Sequence, residues 1–216
     1  MSTLTKLALG MIGQLKARPL PEGVSITLPP PRVSGGLPLM EALQLRASSR
    51  SFAPTELAGQ VLSDLLWAAA GINRRDLGGR TAPSAMNSQE VQLLVALPKG
   101  VFRYEPVGHA LHLVAASDVR RVTGYQDFVD SAALDLVYVA DHARMKLVPA
   151  AQRDRYAFAA AGAMAQNVYL VCASLGLATV IRAWFDERAL SATLGLEADK
   201  HLLLCQTVGH PADSST

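Results

Sequence analysis

A chain of 216 residues that is half apolar and only 18% charged has material for a sizeable core, which argues against a disordered or fibrous protein. Its 20 basic and 18 acidic residues lie scattered, with no basic cluster to attract a nucleic acid or an anionic membrane surface. Two cysteines, Cys172 and Cys205, sit inside apolar stretches, so a disulfide framework is excluded in favour of small buried thiols in a reducing compartment.

Leu4 to Leu15 reads as an N-terminal helix of a cytoplasmic protein: its apolar run is short, broken by Gly10 and Gly13, and followed by no clean cleavage site. No apolar run approaches the roughly 18 residues needed to span a bilayer. Pro19 to Pro38 holds six prolines, including Pro29-Pro30-Pro31, and so predicts an extended arm, either packed over a neighbouring subunit or loosely ordered. Residues 1–36 are thus a helix and a proline-rich arm, and residues 37–216 a single domain.

Within that domain, Leu37, Met40, Leu43 and Leu45 fall near helical spacing and lead into Arg46. Pro54-Thr-Glu-Leu57 predicts a helix start, with an apolar face of Val61, Leu62, Leu65, Leu66 and Trp67 that stops at Gly71. Residues 72–89 read as a long polar loop. The period then shortens: Val91–Leu97, Val101–Tyr104, Ala110–Ala115 and Leu134–Ala140 predict strands, the first three joined as a meander. Arg153–Leu175 is alanine-rich and nearly uncharged after Arg155, which predicts a buried helix at the spine of the domain or of a dimer, capped by Gly176. Ala178–Ile181, Asp186–Leu194 and Leu202–Val208 predict strand, helix and strand. Hairpin connections among most strands make the fold class α+β, with an antiparallel-rich central sheet flanked by helices.

Four stretches have residue types suited to binding. Arg46-Ala47-Ser48-Ser49-Arg50-Ser51-Phe52 offers two guanidiniums four apart, with hydroxyls between, at a helix end; phosphate is bound by such bidentate cations and short donors, although a solvated helix terminus has the same composition. Pro83-Ser84-Ala85-Met86-Asn87-Ser88-Gln89 combines small residues with amides that can meet the edge of a flat ring, or simply close local turns. Gln166 and Asn167 interrupt an apolar helix and, once buried, must bond to backbone, another subunit or a cofactor. Arg182-Ala183-Trp184 ends a strand, where an arginine beside an indole can flank an aromatic ligand. There is no G-x-G-x-x-G, G-x-x-x-x-G-K-[ST], H-E-x-x-H or G-x-S-x-G motif. His109 and His112 fall on opposite faces of a strand-like stretch, so no metal site is expected. No side chain is marked as catalytic, and any hard chemistry falls to a bound cofactor.

In order and spacing these pieces resemble the nitroreductase family of FMN enzymes, in the branch related to thiazole- and oxazole-forming peptide oxidoreductases. The resemblance runs from about Leu39 to Pro211 through Arg46-x-Ser48-x-Arg50-x-Phe52, Pro83-Ser84-x-x-Asn87-x-Gln89, Gln166-Asn167-x-x-Leu170, Leu175-Gly176-Leu177 and Gly209-His210-Pro211. It implies a sandwich-like α+β fold, an intertwined homodimer and two FMN sites at the subunit interface. Arg46, Ala47, Ser48 and Arg50 would hold phosphate and ribityl. Pro83, Ser84, Ala85 and Asn87 would line the isoalloxazine. Backbone donors from Ile181 through Arg182, Ala183 and Trp184 would lie near its N5. Electrons would pass from NAD(P)H through the flavin to a small-molecule acceptor such as a nitroaromatic or quinone. A flavin-dependent dehydrogenase or oxidase of an organic or peptide substrate, and a flavin-binding dimer without turnover, remain open. One departure is that Gly209 to Thr216 contains no lysine or arginine, a cation many members add to the phosphate site, so Arg46 and Arg50, with help from Arg182, would carry it.

Overall fold

The computed structural model describes residues 2–11, 18–19 and 26–212. The expected continuation of the first helix to Leu15, much of the proline-rich arm and the last four residues lie outside them. The first helix, α1, covers Thr3–Met11. Its Lys6 is fully buried, and the ammonium donates to the Gln126 carbonyl and to Asp130.

Seven strands build one sheet: β1 (Ile26–Thr27), β2 (Val91–Leu97), β3 (Gly100–Glu105), β4 (Ala110–Ala115), β5 (Leu134–Asp141), β6 (Ala178–Arg182) and β7 (Lys200–Gly209). Their spatial order is β6-β7-β5-β2-β3-β4-β1, and every pairing is antiparallel. The expected α+β class with an antiparallel sheet is what the chain forms. The predicted bounds of β2 and β4 are those observed, those of β3, β5, β6 and β7 shift by one or two residues at one or both ends, and β1 lies in the stretch expected to be an arm.

Because β2 and β5 are covered on both sides, period-2 alternation sends their apolar residues into two separate cores. Leu93, Val95, Leu136 and Tyr138 face the helices α3 (Gly59–Ala70) and α4 (Arg153–Leu175). Leu94, Ala96, Val137 and Val139 face Val119, Val122 and the helix α5 (Glu187–Leu194). A short helix, α2 (Leu39–Leu45), leads into the Arg46 stretch.

α4 is the spine on its inner side only. Ala157, Ala160, Ala161, Met164, Ala165 and Val168 repeat at helical spacing and let the helix lie close to the sheet. Its other side leaves Tyr156 and Phe158 exposed, together with Ala159, Gly162 and Gln166. Gln166 is therefore not the buried amide expected. Ala150–Leu175 is also long and apolar enough to pass as a membrane span by composition, contrary to the reading from apolar runs alone, yet its alanine face belongs to the core. Gly176 ends the helix at φ 66°, a left-handed cap that costs glycine nothing.

Two local expectations are corrected. The helix predicted from Pro54 begins at Gly59, because the preceding chain is held extended: Phe52 bridges Pro211, and the Ala53 amide donates to the His210 carbonyl. Residues 72–89 are not one loop. Ile72–Arg74 pairs with Gly79–Arg80 as a small hairpin, turned by Gly78 at φ 61°.

The arm from residue 26 packs on its own chain. β1 adds an edge strand beside β4, Ser63 donates to the Pro29 carbonyl, Arg32 pairs with Asp64, and the Leu37 amide donates to Ser174.

Candidate functional site

The chain leaves α2 at Arg46 and runs extended across the ends of α4 and β6. Its register is fixed by the Ser49 amide, which donates to the Thr179 carbonyl at 2.9 Å. Arg46 to Arg50 is thus not the helix end expected; α2 stops at Leu45. Extended chain has period 2, so Arg46, Ser48 and Arg50 share one side. The contacts agree for the first two: the Arg46 guanidinium lies 5.4 Å from the centroid of the Tyr169 ring, and the Ser48 hydroxyl is 2.8 Å from the Tyr169 hydroxyl. Ala47, Ser48 and Arg50 are exposed and Arg46 half-buried. Among the described residues neither arginine has a carboxylate partner. A cavity of about 130 Å³ opens along the alternate residues of the strip, walled by Ala47, Ser49, Tyr169, Thr179 and Pro211 and by neither arginine.

Tyr169 was missed in the sequence. A tyrosine on the buried stripe of an apolar helix must find a partner for its hydroxyl, and that was the available signal. Its hydroxyl accepts from the Ile181 amide at 3.0 Å while meeting Ser48, so it ties the Arg46–Arg50 strip to the end of β6.

Arg182, at that strand end, does not offer its side chain to a ligand. Its guanidinium is buried and donates to Asp135 at 2.6 Å, to the Thr123 carbonyl at 2.5 Å and to the Thr207 hydroxyl at 2.8 Å. The expected help with phosphate from this arginine is therefore corrected: the group is consumed by the fold. Ala183 and Trp184 follow it into solvent, with the indole 51% exposed and tilted over Tyr125.

The Pro83–Gln89 loop is a separate structure. Asn167 reaches from α4 to the Ala68 and Thr81 carbonyls and fixes the chain just before the loop, the backbone role that a buried amide allows. The loop turns through Ala85–Asn87 with Met86, Asn87 and Gln89 all at φ between 51° and 53°. A left-handed residue other than glycine costs on the order of 1 kcal/mol or more unless it is asparagine, so this backbone is held against its preference. The clamp is local. The Gln89 amide donates to the Ser84 hydroxyl, while the Gln89 side chain donates to the Gly78 carbonyl and to Asn87 and accepts from Arg80. Gln89 is therefore part of the clamp rather than a reader of a ring edge. Pro83, Met86 and Asn87 remain exposed, and Ser84 and Ala85 half-buried. Among the described residues no hydrogen bond or ion pair joins this loop to the Arg46–Arg50 strip or to Arg182–Trp184. Met86 instead faces Leu147, Val148, Pro149 and Tyr156 across an apolar cleft of about 430 Å³.

Beneath the loop lies Glu90, fully buried, with neither carboxylate oxygen in a hydrogen bond. Burial raises its carboxyl above the ordinary glutamate range, against the pull of the nearby Arg80 charge. Cys172 and Cys205 are buried and unpaired, as expected. Burial raises both thiols, that of Cys205 to about 12, so neither is a nucleophile at neutral pH. His109 is not on a strand: it turns at φ 49°, and its ring bridges Ser63 and Tyr104.

Residues 43–210 match the sequence profile of the nitroreductase family. A nitroreductase homologue from Methanocaldococcus jannaschii is 29% identical over 182 residues, covering 79% of this chain and 90% of that protein. The crystal structure of a nitroreductase homologue from Ralstonia eutropha superimposes with a TM-score of 0.87 at 49% identity, over 92% of this chain and 96% of that one. At the level of fold alone, two further structures are similar. One is a homologue from Desulfovibrio desulfuricans solved in complex with FMN (TM-score 0.57, 22% identity, 84% of this chain and 91% of that one). The other belongs to the Escherichia coli microcin synthetase McbBCD complex (TM-score 0.70, 20% identity, 89% of this chain and 79% of that one).

Proposed function

The chain belongs to the nitroreductase family and is an oxidoreductase, and on that premise we propose that it binds FMN and passes electrons from NAD(P)H to a small acceptor such as a nitroaromatic or quinone. The observation that carries the flavin assignment is the pair Arg46 and Arg50. Among the described residues they are two cations without a carboxylate partner, and they lie on one side of an extended strip with the Ser48 hydroxyl between them. A phosphate supplies the missing charge and accepts from all three groups.

In this reading Arg46, Ser48 and Arg50 grip the phosphate, with Ala47 leaving room for the ribityl chain. Tyr169 holds the strip in register with the end of β6, and the Ala183 and Trp184 amides that follow would meet the ring edge. Trp184 shields that edge from water. Pro83, Ser84, Ala85 and Asn87 present a bent, small-residue surface suited to a flat ring. The loop lies apart from the arginine strip within one chain, which suits a site completed by a second copy. The exposed apolar side of α4 supplies a contact for that homodimer. When bound, FMN supplies two-electron chemistry at its N5, oxidising the nicotinamide and reducing the acceptor in turn. The protein contributes binding, orientation and exclusion of water, and no side chain is assigned as acid or base. The cleft walled by Met86, Leu147 and Tyr156 is the space offered to the apolar acceptor.

The visible spectrum of the purified protein tests this directly. Flavin absorption that bleaches on adding NADH or NADPH, and returns with a quinone, is the expected result. Protein that stays colourless after incubation with excess FMN and desalting would overturn the flavin assignment. Bound flavin that neither nicotinamide bleaches would overturn the donor. Light scattering after size exclusion is expected to return the mass of two chains.

A further inference from the structure

Three elements come together at one end of the inner strands β5 and β7. His142 follows β5, Asp154 lies in the first turn of α4, and His201 is the second residue of β7. The sheet register sets this juxtaposition: His201 is paired with Ala140, and the His142 amide donates to the Asp199 carbonyl at 2.9 Å. The two imidazoles stack with centroids 3.9 Å apart, and Asp154 Oδ1 lies 3.2 Å from His142 Nε2 and 3.5 Å from His201 Nδ1.

These distances are not those of a satisfied hydrogen-bond network. His142 Nε2 is shielded from water and makes no hydrogen bond, although the carboxylate oxygen is close by, so that oxygen lies off the direction of the ring nitrogen. The spacing matches a different geometry. Ligands about 2.0–2.1 Å from a tetrahedral ion are separated from one another by about 3.4 Å. The three ligand atoms all lie within 4.8 Å of one another, and closing the set asks for a rotation of the His201 ring, which is 42% exposed and free to make it.

We propose that His142, Asp154 and His201 form a binding site for a divalent transition-metal ion. Two imidazoles and one carboxylate suit zinc, nickel or copper, whereas magnesium and calcium prefer all-oxygen shells. Asp154 is 60% exposed, so the fourth position opens to solvent. The ion would tie the start of α4 to the sheet. The chain between His142 and Asp154, with Tyr156 just beyond it, carries Leu147, Val148 and Pro149, which wall the apolar cleft opposite Met86. The site is thus a clip on the cleft wall. It stands independently of whether the protein holds a flavin.

Zinc titration of EDTA-stripped, untagged protein by calorimetry, with magnesium in parallel, tests the proposal. Expected are one zinc per chain at micromolar affinity, no magnesium binding, and a Tm raised by zinc. His201→Gln, at the exposed ligand, should weaken zinc at least tenfold and abolish the rise in Tm while the circular dichroism stays that of the parent. His142→Ala should do the same, and Asp154→Asn should weaken zinc less. Absence of saturable zinc binding would overturn the site. So would zinc that binds the folded His201→Gln protein as tightly as the parent, since the ion would then sit on other histidines.

Discussion

Arg182 and Arg46 are the same side chain in opposite circumstances. Arg182 is buried and has every nitrogen in a hydrogen bond, chiefly to Asp135 and Thr207. Arg46, with Arg50 beside it, lies on a strip with a tyrosine ring beneath and no carboxylate partner among the described residues. A cation matched by the fold holds the fold together, and a cation left unmatched on an ordered strip is available to a ligand. Stability and affinity should therefore separate between the two regions.

Arg182→Ala is expected to have the largest effect, because it leaves Asp135 charged and unpaired in the core. Removing one partner of a buried pair costs roughly 3–5 kcal/mol. A Tm within two degrees of the parent would erase the comparison. Replacing both partners together, Asp135→Leu with Arg182→Met, should recover much of the loss, since no charge is then stranded.

Arg46→Ala and Arg50→Ala should reverse the pattern. Stability should stay within about 0.5 kcal/mol, while FMN dissociation rises by about ten- to a hundredfold for each, the equivalent of roughly 1.5–3 kcal/mol. An unchanged FMN titration in both variants would remove the phosphate assignment. Tyr169→Phe keeps the ring under Arg46 and removes only the link between Ser48 and Ile181. It should cost about 1 kcal/mol of stability and weaken FMN severalfold, measured in the same two assays.

Glu90 sharpens the contrast from the acidic side, since unlike Asp135 it is buried without an ion-pair partner among the described residues. A carboxyl raised in the folded state binds its proton more tightly there than in the unfolded chain. Its favourable contribution is complete below the ordinary glutamate value near 4.5 and is lost as pH rises through the raised folded value. Glu90→Gln should therefore melt with the parent at pH 4 and a few degrees above it at pH 8. A gap of equal size at both pH values would show that titration of Glu90 is not its source.

Much of the fold was legible because periodicity is local. The bounds of Val91–Leu97, Ala110–Ala115 and Arg153–Leu175 follow from spacing within each segment, and Gly176 stops the helix for a reason intrinsic to glycine. The role of Arg182 was not legible, because its partners Asp135 and Thr207 are 47 and 25 residues away. Spacing likewise could not say which side of an apolar helix meets the sheet, so Gln166 was expected inside and stands outside. The start of α3 was misplaced for a related reason: the tail residues His210 and Pro211 hold the preceding chain extended. His142, Asp154 and His201 show no sequence spacing at all, and only the sheet register brings them together.

The contact between Tyr169 and Ser48 also has a direction that a ligand would set. A phenol has one proton to give, and here its oxygen already accepts from the Ile181 amide. An anion beside Ser48 draws the serine proton outward, which leaves the serine oxygen to accept from Tyr169. Three donors then point one way, from the backbone of β6 through the phenol and the serine to the anion, each polarising the next. Charge arriving at the surface would thus be felt in the amide of Ile181, three hydrogen bonds away, where an NMR shift on phosphate binding would report it.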